Sequence, residues 1–105
     1  MIAEKSYCFS VRIVKLSQYL RDRKREYILS QQLERSGTSI RANITEGQQG
    51  RSRADFIAKM SIALKETSET KYWRSLLHDT GYLTDTEIFN FPFSTFNYII
   101  RRLIP

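Results

Sequence analysis

The sequence predicts an all-α protein, an antiparallel up-down-up-down four-helix bundle forming a single domain over residues 1–105. Three observations carry this. Apolar residues recur at three- and four-residue spacing over long segments. Four glycines and two prolines are too few to punctuate a set of hairpins. A chain of 105 residues with 41% hydrophobic content fits one domain around one core, with no visible repeat or second unit.

The first helix is expected over residues 3 to 22, where Phe9, Ile13, Leu16 and Leu20 form one stripe. A second apolar line, Tyr7, Val11 and Val14, lies on roughly the opposite side. The run "RDRKRE" closes this helix as a charged connection.

The second helix is expected from about Tyr27 to Glu46, with Leu29, Leu33, Ser36, Ile40, Asn43 and Ile44 along one face and Gly47 beyond. Its segment "SIRANITEG" alternates Ile40, Ala42 and Ile44 as a strand would, but the alternation stops there while the helical face runs for several turns. Helix wins. Asn43 and Gly47 are small enough for a neighbouring helix to approach, and Glu46 is expected to pair with Arg35.

Ser52 to Asp55, "SRAD", reads as a capping box opening the third helix, which runs to about Asp79 with Gly81 as its C-cap. Its early stripe is Phe56, Met60, Ala63 and Thr67; Trp73 and Leu76 fall on a different side, with Ile62. The final segment, 84 to 104, carries Phe89, Phe93, Phe96, Ile100 and Leu103, with a break and a fresh helix start at Pro92.

A bundle helix buries about one stripe, so the surplus apolar residues need a partner. Tyr7, Val11, Val14, Trp73, Phe91 and Tyr98 are therefore the expected interface of a homo-oligomer.

The formal net charge of +6 and pI near 9.7 point to a polyanionic partner. At one end of the expected bundle, Arg21, Arg23, Lys24 and Arg25 are offset by Asp22, Glu26, Asp79, Asp85 and Glu87. The other end gathers Lys5, Arg51, Arg53, Arg101 and Arg102 against fewer acids. Arg41, Arg51, Arg53, Arg101 and Arg102 are thus the expected nucleic-acid contacts. Arg23, Lys24 and Arg25 form a secondary basic loop, read as solvated. No helix-turn-helix, zinc-finger or RNA-recognition signature is present, so backbone contact rather than base readout is expected.

Catalytic chemistry is poorly provided for. The single histidine, His78, has Ser75 where a Glu-x-x-His metal pair would need its glutamate. Glu66 and Glu69 lie among polar residues and read as a solvated face, and Cys8 has no histidine partner. "EGQQGRS" lacks the Gly-Lys-Ser/Thr ending of a phosphate loop. No enzyme activity, metal or cofactor is expected. No apolar run reaches membrane-spanning length, the N-terminus is unlike a signal peptide, and one cysteine suits a reducing compartment, so the expected location is the cytoplasm without membrane contact.

"SGTSIRANITEG", then "S-x-x-DFI-x-K-x-SIALKET-x-ET-x-YW" and "L-x-x-TGYL", together with "FSVRIVKLSQYL", resemble the bacterial four-helix-bundle family known from intervening sequences in 23S ribosomal RNA genes. The match runs from about Ala3 to Leu83. The resemblance implies a homopentamer. The chain is also similar, more remotely, to the accessory variability protein of diversity-generating retroelements, a basic pentameric bundle that binds nucleic acid and a reverse transcriptase. Two readings follow: a non-catalytic basic bundle binding RNA or DNA, and a scaffold recruiting a reverse transcriptase or an RNA-processing protein. Arg41 stands where the family usually has a small residue, and the aromatic tail with Pro92 departs from the family's last helix.

Overall fold

The computed structural model describes residues 2–85. The expected fourth helix, and with it Phe91, Tyr98, Arg101 and Arg102, lies outside these residues. Within them the protein is all-α: α1 spans Ile2–Lys24, α2 Ile28–Gln48 and α3 Arg53–Asp79. Each boundary falls within about two residues of its sequence expectation, the usual spread for helix ends.

Helix α2 packs against both α1 and α3. Residues rising along one helix meet residues falling along the next: Ile13 meets Gly37 and Ser17 meets Ser30. The same order holds between α2 and α3, where Ser36 meets Thr70 and Gly47 meets Met60. The core is built from Phe9, Ile13 and Leu20 of α1, Leu33, Ile40 and Ile44 of α2, and Met60, Ala63 and Leu77 of α3, with Leu83 beyond.

Small and hydroxyl-bearing residues let the helices approach closely. A Cβ on Gly37 would stand 2.7 Å from Ile13 Cγ2, so only glycine fits where α2 crosses α1. Gly47 allows the same approach to α3, with Met60 Cε at 3.0 Å from its notional Cβ. Buried hydroxyls join the helices directly: Ser17 Oγ donates to the Ser30 carbonyl at 3.3 Å, and Thr70 Oγ1 to Ser36 Oγ at 2.9 Å.

The buried stripe of α3 corrects one expectation. It does not change sides after Thr67 but continues through Thr70 and Leu77. Thr70 was hidden from a purely apolar count because its hydroxyl is satisfied by the Glu66 carbonyl at 2.7 Å.

The helix ends explain the connections. Ser52 Oγ accepts from the Asp55 amide at 3.1 Å, the cap expected of "SRAD". Gly81 adopts φ 90, and Tyr82 N–H donates to the Leu77 carbonyl at 2.8 Å, closing α3 in a Schellman turn. At the end of α1 the left-handed position is taken by Arg25, φ 57, while Glu26 N–H returns to the Leu20 carbonyl at 3.0 Å.

Candidate nucleic-acid interface

The α1–α2 connection turns on Glu26. Its side chain points inward, and the residue is 8% exposed. One carboxylate oxygen accepts from the Ser30 amide at 2.8 Å; the other accepts from Leu29 at 3.1 Å and Ile28 at 3.3 Å. A negative group against the open amides of a helix start is favoured both by hydrogen bonding and by the helix dipole. Sequence reading counted Glu26 as an acid that offsets the neighbouring cations. The structure instead commits it to the first turn of α2.

The residues on either side of Glu26 face water. Arg23, Lys24 and Arg25 are exposed, with Asp22 beside them. None of the three cations forms an ion pair among the described residues. Tyr27 and Ile28 follow at 54% and 75% exposure. Sequence reading placed the start of α2 at about Tyr27 and its buried face from Leu29 on, and assigned neither residue a surface role.

At the other end, Arg51 and Arg53 are exposed in the α2–α3 turn and at the first residue of α3. Lys5 is also exposed near the start of α1.

Arg41 occupies a different setting. Its Nε donates to Thr45 Oγ1 at 2.9 Å, and its guanidinium carbon lies 5.4 Å from the centre of the Tyr7 ring. It thereby ties α2 to α1 and lines an open cavity of about 500 Å3 with Glu4, Tyr7 and Cys8. The candidate contacts therefore do not form one patch: Arg51 and Arg53 share an end, Arg41 faces α1, and Arg23, Lys24 and Arg25 lie at the far end, where α1 closes.

The proposed interface residues divide as well. Tyr7, exposed, joins the half-buried Val11 and Val14 in an open groove of about 360 Å3 flanked by Ser10, Lys15 and Gln18. Trp73 instead packs against the core from α3, with its indole N–H donating to Glu69 Oε1 at 3.3 Å and Tyr72 edge-on at 4.9 Å.

The carboxylates of α3 correct a further expectation. Glu66 and Glu69 are not a free solvated face. Arg35 bridges them across the α2–α3 seam, 3.5 Å from Glu66 and in direct contact with Glu69. Glu46 pairs with Lys59 at 3.1 Å rather than with Arg35. His78 sits between Asp79, at 3.0 Å, and Asp85, and these two carboxylates raise its pKa above the ordinary imidazole value. Among the described residues no His/Cys/Asp/Glu group is arranged to hold a metal, and no helix is long and apolar enough to cross a membrane.

A family model described as the 23S rRNA-intervening sequence protein matches residues 1–102. The chain belongs to that family. A solved structure from Bacteroides thetaiotaomicron VPI-5482, described as a protein with unknown function from the S23 ribosomal protein family, is similar at 44% identity. Its TM-score is 0.82, and the similarity covers 98% of this chain and 91% of that one. No curated protein matches. The family assignment agrees with the motif blocks around "SIRANITEG" and "SIALKET", and the neighbour supports the helical fold.

Proposed function

We propose that this member of the 23S rRNA-intervening sequence protein family is a non-catalytic, homo-oligomeric basic bundle that binds RNA or DNA through the sugar–phosphate backbone. The observation that carries the reading is a net charge of +6 combined with exposed cations at both helix ends that have no acidic partner among the described residues. Such cations displace counterions from a polyanion, giving affinity without sequence choice. Oligomerisation through the Tyr7–Val11–Val14 groove, to the pentamer the family resemblance implies, would repeat this charge on one particle and strengthen binding by multivalency.

The test is titration of structured RNA and single-stranded DNA at several salt concentrations, with assembly followed by light scattering on nuclease-treated protein. Affinity that falls steeply with salt supports the reading; affinity indifferent to salt, or no binding, overturns it. Val11→Asp should reduce the particle mass, and an unchanged mass would remove the groove from the interface.

The same groove favours a second reading, a scaffold that recruits a reverse transcriptase or an RNA-processing protein. That reading expects nucleic acid to bind only when the protein partner is present.

A further inference from the structure

The α1–α2 tip combines features that plain phosphate binding does not require. Three consecutive cations, Arg23, Lys24 and Arg25, are exposed. The acid that follows them is withdrawn into the cap of α2. Arg25 holds a left-handed backbone at φ 57, a position glycine would fill without strain. Tyr27 and Ile28 then stand side by side in solvent, Ile28 as the most exposed large hydrophobic residue among the described residues.

We propose that this tip is a contact for single-stranded nucleic acid, with the Tyr27 ring as a stacking platform for an unpaired base and Arg23, Lys24 and Arg25 as the phosphate contacts around it. The proposal rests on the nucleic-acid reading above and adds to it the strandedness of the ligand and the place where it binds. A duplex keeps its base faces occupied by neighbouring bases, so a protruding ring finds a free face only on an unpaired strand. Ile28, next to Tyr27, extends the apolar surface available to the base and its ribose. Of the exposed acids at this end, Asp22 lies in the last turn of α1, away from Tyr27 in sequence, and Asp79 and Asp85 are engaged by His78.

The experiment is fluorescence anisotropy with a labelled oligouridylate of about 12 nucleotides, a length near one binding site, and a labelled blunt-ended RNA duplex of about 12 base pairs. Tyr27→Ala should weaken oligouridylate binding about 5- to 150-fold, the range expected for one stacked base, whereas Tyr27→Phe should keep binding within about twofold. The salt dependence should be the same in all three proteins, because no phosphate contact is removed. Duplex binding should be unaffected by Tyr27→Ala. Arg51→Ala with Arg53→Ala, at the opposite end, should lower both affinities while leaving the Tyr27 effect in place. Circular dichroism should show equal helicity throughout, since Tyr27 is not part of the core.

If the wild type binds neither RNA, the nucleic-acid reading and this proposal fall together. Binding to both RNAs without any effect of Tyr27→Ala overturns the proposal alone. Equal losses on oligouridylate and duplex overturn the preference for an unpaired strand. Tyr27-dependent sedimentation with phosphatidylserine vesicles, without a Tyr27 effect on RNA, would reassign the tip to an anionic lipid surface.

Discussion

Gly37→Ala tests how closely α1 and α2 approach. The added Cβ would lie 2.7 Å from Ile13 Cγ2, 2.9 Å from Cγ1 and 3.2 Å from Cδ1. Carbon atoms pack best at about 3.5–4.0 Å, so the nearest contact is short by about an ångström. Ile13 is fully buried and β-branched, and rotation about its first side-chain bond brings one γ carbon back as it removes the other. Relief must come from moving a helix. Overpacking of this kind costs about 1–3 kcal/mol, while replacing a mid-helix glycine by alanine returns about 0.8–1.0 kcal/mol. With two atoms inside 3.0 Å, the upper part of the cost range applies. A net loss of about 1–2 kcal/mol follows, a fall in Tm of about 5–15 °C for a domain of this size. Thermal and urea unfolding followed by circular dichroism, at matched protein concentration, measures it. In an Ile13→Ala background the obstacle is gone, and Gly37→Ala should become stabilising. A wild-type background in which Gly37→Ala raises stability by about 1 kcal/mol, as at an open helical site, would refute the close approach.

Three further perturbations address the helix ends. Glu26→Ala removes the acceptor for three amides of α2 and should cost about 1–3 kcal/mol in urea unfolding, with loss of helicity at the α2 start. Arg25→Gly relieves the left-handed backbone and should raise stability by up to about 1 kcal/mol, because the relief exceeds the added chain entropy. His78, raised by Asp79 and Asp85, should titrate above about 6.5 by NMR and fall toward that value in Asp79→Asn or Asp85→Asn. Because its folded pKa is the higher one, its contribution is fully present below about pH 6.5 and is lost as pH rises through the folded value.

The three described helices were legible because their buried faces follow an apolar period: Phe9, Ile13 and Leu20 in α1, Leu33, Ile40 and Ile44 in α2, and Met60 and Ala63 in α3. Their caps at Ser52 and Gly81 were legible because the residue types have few other uses at such places. Thr70 was not, since a hydroxyl looks polar until its helix carbonyl is seen to satisfy it. Gly37 carried a signal that was passed over: a glycine deep in a strong helical pattern usually marks a close approach. The ion pairs were the least legible. On its own helix Arg35 has only the adjacent Glu34 and, about three turns on, Glu46, and the lateral offset of α2 against α3 selects Glu66 and Glu69 instead. Glu26 was misjudged for a related reason. Charge counts record an acid but not the direction in which the turn aims it.

The buried hydroxyls bear on the order of folding. Ser36 Oγ is held by the Gln32 carbonyl, Thr67 Oγ1 by Ala63 and Thr70 Oγ1 by Glu66, each a bond within one helix. These groups therefore meet their acceptors as soon as the helix itself exists, before any neighbour arrives. Docking α2 onto α3 then dehydrates polar atoms already satisfied and brings Thr70 Oγ1 to 2.9 Å from Ser36 Oγ, which shares the Thr70 proton with the Glu66 carbonyl. With that barrier lowered and most contacts local in sequence, the chain should collapse quickly through preformed helices.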